Sequence, residues 1–311
     1  MPNLLRIAAL LLLSASAAVH ATPASRVHVD AVAAAIADRY FDPERGKRIA
    51  DDLRRDAATG AYDALQAQAL ADALTARLRP LDRHFRVRWS APGDAARPPA
   101  PRRTPRTSSP NGIVEIDVLP GDIGYLRLDG FAHFEPDDTD APARVAIDAA
   151  LATLSGTGVN VIDLRGNRGG SPSMVGYLAS AFVEPDADVY NAFHTRTDTF
   201  SEAPLHPYAH PRTRVPVYVL IDGGTASAAE AFTYTLQSAR RATVIGERSA
   251  GAANPGGEVD VGAGFRVFVS DGTPVNPITR TNWEGSGVAP DVAVAASDAL
   301  DEALQRARRS P

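Results

Sequence analysis

One serine in this chain stands where backbone geometry could make it reactive. In RVPVYVLIDGGTASAAEAFTYTLQSAR at 214–240, Ser227 follows a continuous apolar run and a Gly223-Gly224 turn, and it opens a segment of helix formers. The first turn of a helix gathers unpaired N–H groups and the positive end of the helix dipole, so an alkoxide or oxyanion there meets fixed donors. Ser and Thr are also the ordinary helix N-caps, and the local pattern leaves Ser227 and Thr225 open to that simpler use. The G-x-S-x-G nucleophile elbow is absent, since the surrounding residues run Gly224-Thr225-Ala226-Ser227-Ala228-Ala229-Glu230. A second glycine turn, Arg165-Gly166-Asn167-Arg168-Gly169-Gly170, ends another buried run. Glycine lets a backbone approach a ligand closely. Neither turn fits the phosphate-binding patterns G-x-x-x-x-G-K-[ST] or G-x-G-x-x-G, and an oxyanion hole suits them better.

The elements that must hold these turns emerge from periodicity. Val215, Val217, Val219 and Ile221 belong to a run apolar at nearly every position, the mark of a strand covered on both faces. Ala228, Phe232 and Leu236 give the following helix one face to bury. From Ile113 onward strands alternate with helices: strands are predicted at 113–119, 124–131, 159–164, 189–194, 215–221, 243–246 and 265–269, and helices at 144–154, 173–183 and 299–308. This is an α/β core with sites at the carboxyl ends of its strands. Before it, apolar stripes predict three short amphipathic helices, marked by Val29 to Tyr40, Ile49 to Ala57 and Leu70 to Leu78. Phe85, Val87 and Trp89 then alternate with polar residues as a half-buried strand, which His84 opens. The organisation expected is a leader over 1–21, a helical module over 22–90, a Pro/Arg-rich linker over 91–112 and the core with its C-terminal helix over 113–311.

Composition narrows the chemistry. The chain has 311 residues, no cysteine and a formal net charge of −5. Thiolate nucleophiles, disulfides and thiolate zinc sites are excluded. Mild acidity argues against nucleic acid as the main partner. Arg6, the apolar run IAALLLLSASAAV and Val19-His20-Ala21 read as a secretory leader with a small-residue cleavage pattern; a retained signal anchor is the alternative. Once a leader is removed, no stable membrane span is expected. Lys47 is the only lysine.

GYLRLDGF at 124–131, DLRGNRGG at 163–170, GGTASAAE at 223–230, VIGERSAG at 244–251 and NWEGSGVAPDV at 282–292 together resemble the S41 family of serine peptidases, which includes the carboxyl-terminal processing (tail-specific) proteases and the tricorn core. The helical module ending in DRHFRVRW resembles that of the branch related to the interphotoreceptor retinoid-binding protein. The resemblance implies a crotonase-like (ClpP/crotonase) ββα core. It places Ser227 as nucleophile and puts the oxyanion hole at the Ala228 amide and one amide of the Gly169-Gly170 turn. The processing-protease branch carries a lysine base about 25 residues after its nucleophile, but that register falls here on Ala252, so a Ser-Lys dyad does not fit. In the tricorn-like and retinoid-binding-protein-like branches the base is a histidine from an Asp-x-His motif, here Asp82-Arg83-His84, supported by a glutamate matching Glu284. Arg83 departs from the tricorn core, which has serine before its histidine. His133 and His194 are rival bases, and Glu230 and Glu247 rival Glu284, although Glu230 also suits a dipole partner on the first helical turn. Asp163 and Arg165 read as an ion pair at a strand end.

Taken together, these residues lead to the expectation of a secreted or periplasmic serine-type peptidase acting on a peptide or protein substrate. Neither a metal nor an organic cofactor is expected, nor a separate peptide-recognition domain of the PDZ type. The alternative is a catalytically decayed protein on the same scaffold that binds an apolar small molecule or peptide. A crotonase-like acyl-CoA enzyme is disfavoured by the export signal.

Overall fold

The computed structural model describes residues 24–91, 109 and 111–309. The expected leader and most of the expected linker lie outside the described residues. Among those described, no helix is long and apolar enough to cross a membrane.

A six-stranded sheet of order β12-β8-β7-β4-β3-β2 forms the centre, built from Ile113–Leu119 (β2), Ile123–Leu128 (β3), Val159–Asp163 (β4), Val217–Ile221 (β7), Thr243–Gly246 (β8) and Val292–Ala293 (β12). β2 runs antiparallel to β3 and every other neighbouring pair is parallel. Every residue of β4 and β7 is buried because both faces are covered. Ile162, Val217, Val219 and Ile221 face a core shared with helices α4 (Pro142–Thr153), α5 (Pro172–Ser180) and α6 (Ala228–Ser238). Val161, Tyr218 and Leu220 face the opposite core, which α7 (Ala299–Ala307) closes with Ala299, Ala303 and Ala307. A mixed α/β layering thus accounts for the unbroken apolar runs. At the end of β4 the Arg165 guanidinium grips Asp163 through both carboxylate oxygens, at 2.6 and 2.9 Å, as the sequence predicts.

The three N-terminal helices are Ala24–Arg39 (α1), Pro43–Ala58 (α2) and Ala67–Leu78 (α3). Their stripes meet in a second core that includes Val29, Ile36, Leu53, Leu70 and Leu74. This core is not closed by the helices alone. β1 (Arg86–Trp89) pairs with β10 (Phe265–Ser270), which pairs with β9 (Gly256–Gly262), and Phe265, Val267 and Val269 complete the packing. A division at residue 90 therefore cuts through a sheet. A third small sheet has the order β11-β5-β6, from Gly272–Val275, Ala192–Thr195 and Thr199–Ser201.

The strand predicted to reach residue 131 ends at Leu128, and Phe131 instead forms an isolated bridge with Gly170. The helix expected to include Ser227 in its first turn begins at Ala228, which leaves Ser227 as its N-cap.

Candidate active site

Ser227 sits between β7 and α6 with φ 56° and ψ −122°, a backbone conformation that non-glycine residues seldom adopt. Hydrogen bonds on both sides hold it there. Ala226 N–H donates to the Asn167 carbonyl (2.9 Å), the buried Thr225 hydroxyl donates to the Leu164 carbonyl (2.8 Å), and Ser227 N–H donates to Glu230 Oε2 (2.8 Å). The two glycine turns are thereby sewn together. Gly169 has φ +99°, and a Cβ there would lie 2.7 Å from Ser227 Cβ and 2.8 Å from Ala228 N. At Gly170 (φ +148°) a Cβ would lie 2.0 Å from the Phe131 carbonyl oxygen. Only glycine fits either place.

Of the amides in these turns, Gly169 N–H is taken by Asn167 Oδ1 at 2.8 Å. Gly170 N–H and Ala228 N–H have no hydrogen-bond acceptor among the described residues. Asn167 is itself fixed, fully buried with its amide donating to the Leu128 carbonyl (3.0 Å).

His84 comes from the turn between α3 and β1. Its backbone N–H donates to Asp82 Oδ1 (2.9 Å), the local turn that a carboxylate two residues upstream can make. Its ring Nδ1 lies 3.2 Å from the same oxygen and 3.4 Å from Glu284 Oε1. Nδ1 therefore faces carboxylates, and Nε2 is the nitrogen left for other work. Asp82 is further held by the Tyr40 hydroxyl (3.2 Å) and the ring stacks on Phe268, so the helical module and β10 together place this histidine. Burial lowers the imidazole pKa, but the hydrogen bonds and charges of Asp82 and Glu284 outweigh it and carry it up to about 9. Burial would likewise raise Asp82, yet the ring and backbone N–H of His84 hold it at about 2. Asp82, His84 and Glu284 each offer an atom within 4.8 Å of the others, the one such group of possible cation ligands among the described residues.

No hydrogen bond joins Ser227 to His84 among the described residues. The loop 249–254 brings their supports side by side. Glu230 is fully buried, and its carboxylate accepts from Ser227 N–H, Ser249 Oγ (2.5 Å), Gly251 N–H (2.6 Å) and Ala252 N–H (2.9 Å). Glu284 Oε2 accepts from the next two amides, Ala253 (2.9 Å) and Asn254 (3.0 Å). Ala252, the register of the lysine in the processing-protease branch, thus touches the partner of Ser227, while its neighbour touches the partner of His84.

The rivals lie elsewhere. His133 is largely exposed and pairs with Ser171 Oγ (3.0 Å) and Glu135 (3.1 Å). His194 is on β5 and pairs with Thr199 (3.0 Å). Glu247 accepts from Ala296 N–H. The tie from Glu230 to loop 249–252 is the feature that sequence reasoning missed, because nothing in Thr225-Ala226-Ser227-Ala228-Ala229-Glu230 announces donors arriving from 20 residues downstream. Asp82 carried a signal in its spacing from His84.

A mixed α/β sheet that presents a strained serine at a helix entrance beside a glycine turn is the arrangement of the serine-peptidase class. Residues 122–294, more than half of the chain, match the model of peptidase family S41, and the chain belongs to that family. It is 31% identical over 175 residues to a carboxy-terminal-processing protease of Bartonella bacilliformis, covering 56% of this chain and 39% of that relative's length. The fold is shared with the photosystem II D1 C-terminal processing protease (TM-score 0.56, 18% identity, 88% of this chain and 94% of that one). It is shared also with a lipoprotein from Streptococcus agalactiae (TM-score 0.60, 17% identity, 99% and 100%).

Proposed function

We propose that this protein is an exported serine peptidase that cleaves peptide bonds through an acyl-enzyme on Ser227. The observation that carries the reading is Ser227 itself, held at positive φ against Gly169 with two unengaged amides, Gly170 and Ala228, beside it. In this reading Ser227 Oγ attacks the substrate carbonyl carbon while its proton passes to His84 Nε2. The carbonyl oxygen becomes an oxyanion that accepts from Gly170 N–H and Ala228 N–H. Collapse breaks the C–N bond, and the His84 proton goes to the departing amine. Water, deprotonated by His84, then attacks the ester and frees Ser227. Asp82 and Glu284 hold the imidazole by Nδ1 and stabilise its cation. Catalytic hydrogen bonds commonly tighten only in the substrate complex, which accommodates a Ser227–His84 bond that forms on binding.

The same reading places the sheet in the crotonase-like architecture, supported by the β2-β3-α4 unit and by β4 and β7 each leading into a helix. It takes residues 1–21 as an export leader, on the basic and apolar pattern of that segment.

The test is labelling of the purified protein with a fluorophosphonate probe, with the labelled peptide identified by mass spectrometry. Labelling at Ser227 that is lost in Ser227→Ala and His84→Ala is expected. A folded protein that does not label, or that labels equally in Ser227→Ala, refutes the assignment.

A further inference from the structure

A pocket of about 280 Å³ opens immediately beyond the Gly169-Gly170 turn, where Ser171, Pro172 and Ser173 form one wall. Its lining is otherwise mostly apolar, from Phe134, Pro136, Phe200, Pro204 and Leu205, with Phe200 and Leu205 exposed at the rim. Arg144, on the first turn of α4, also lines it. Only 8% of that residue is exposed, and its guanidinium carbon lies 4.5 Å from the centre of the Tyr177 ring. No carboxylate lies within ion-pair distance of Arg144 among the described residues, and its Nε is buried with no hydrogen-bond partner. Asp148, one turn along the helix, is engaged by the Tyr177 hydroxyl. A buried arginine without a counter-charge is costly, and arginine in an apolar pocket is the side chain best shaped to bind a carboxylate through two parallel hydrogen bonds.

We propose that this pocket is a substrate subsite whose Arg144 receives a carboxylate carried on an apolar stem. The carboxylate is either the free C-terminus of a peptide or an Asp or Glu side chain close to the bond being cut. The subsite rests on the peptidase reading for its role, since Gly169 touches Ser227 and Ser171 begins the pocket two residues later. Its chemistry rests on the buried Arg144, and the imidazoles of His133 and His206 also line the pocket. The one acid in the lining, Glu202, makes no ion pair with the arginine. Its side chain is held at the back by Asn191 (2.7 Å), and burial pushes its pKa up to about 8 against that hydrogen bond, so at neutral pH it carries little charge. Apolar walls strengthen the attraction at Arg144 by excluding water.

The experiment measures binding to the full-length Ser227→Ala protein by calorimetry, so that turnover is not needed. The probes are N-acetyl-Ala-Ala-Leu as free acid and as carboxamide, and N-acetyl-Ala-Ala-Glu carboxamide beside its Gln counterpart. The acid of at least one pair is expected to bind about tenfold or more tightly than its neutral match, the size of one charge-assisted hydrogen-bonded contact. Preference in the Leu pair identifies a C-terminal carboxylate, and preference in the Glu pair identifies a side chain. Arg144→Gln should erase the preference of acid over carboxamide, and Arg144→Lys should keep part of it. If Arg144→Gln fails to fold, Leu205→Glu at the exposed rim serves instead and should weaken the acids but not the amides. Equal binding of acid and amide in both pairs overturns the proposal, as does a preference that survives Arg144→Gln. Fluorophosphonate labelling of Ser227 without any acid preference would leave the peptidase reading standing alone. Acid preference without labelling would leave only the subsite.

Discussion

Glu230→Gln is the substitution that most directly tests how Ser227, the proposed nucleophile, is held. The native carboxylate accepts four hydrogen bonds in a fully buried place: Ser227 and Ala252 N–H at Oε2, Gly251 N–H and the Ser249 hydroxyl at Oε1. A glutamine amide has one oxygen, so its NH2 must replace one carboxylate oxygen. Its better orientation keeps the oxygen toward Ser227 and Ala252 and turns the NH2 toward Ser249 Oγ, which already accepts from Val288 N–H. Gly251 N–H then faces a donor and stays unpaired. An orphaned buried N–H costs about 1–3 kcal/mol, and two bonds fall from charge-assisted to neutral strength at about 1 kcal/mol each. The expected loss is about 3–5 kcal/mol, a large share of a typical domain's 5–15 kcal/mol. Ala would orphan all four donors and should not fold, which is why Gln is the informative choice. A residue at positive φ stores about 1–3 kcal/mol of strain, and Glu230 opposes its release at Ser227. With that hold weakened by about 1–2 kcal/mol, fluorophosphonate labelling should slow about 5- to 30-fold. Urea unfolding and labelling rates measure the two effects separately. Stability within about 0.5 kcal/mol of wild type would refute the hydrogen-bond count. Lost stability with unchanged labelling would show that Glu230 supports the fold but not the reactive conformation of Ser227.

In the proposed mechanism His84 sets the pH behaviour. As a base it must be neutral, so kcat/KM should climb with pH through an apparent pKa near 9, and Glu284→Gln should move that midpoint toward neutrality; an unmoved midpoint removes Glu284 from the relay. The folded pKa lies above the ordinary 6.5, so the stabilisation this group contributes is complete below about pH 6.5 and is lost as pH rises through about 9, at most about 3 kcal/mol by chemical denaturation. Asp82, held at about 2, shares that same interaction, and its contribution is present above about pH 4 and lost as pH falls through 2. Gly169→Ala should cut labelling by about 100-fold or more, since its Cβ would sit 2.7 Å from Ser227 Cβ at φ +99°; labelling within threefold would show that the turn yields without consequence. His133→Ala should leave Ser227 labelling within about twofold, because His133 lines the proposed subsite through Ser171 and makes no hydrogen bond to Ser227 or His84.

The parts of the fold legible in the sequence are those that a local pattern enforces. β4 and β7 are legible because a strand covered on both faces must be apolar throughout, and α1 to α3 because each buries a stripe. β9, β6, β11 and β12 carry no such signal. β9 is GGEVDVG, largely exposed, and is a strand because β10 supplies its hydrogen bonds. The same limit applies to the site. Ser227 can be located by its turn, but that this N-cap is also held at positive φ depends on Glu230, whose carboxylate accepts from the Ser227 amide and from Gly251 and Ala252 together. His84 looks like an ordinary residue at a strand start. Its environment is made by Tyr40, Phe268 and Glu284, from three distant parts of the sequence, and its raised pKa is a property of that meeting. The family resemblance supplies His84 and Glu284 as partners, while the position of Ala252 explains why they are needed. Loop 249–254 passes close to Ser227, the small side chain at 252 leaves no base there, and the adjoining amide of Ala253 holds the glutamate that faces the histidine. In the proposed mechanism a base brought in from the helical module makes reactivity depend on the contact between that module and the sheet. Loosening the Tyr40–Asp82 bond should therefore alter the pH profile before it alters the fold.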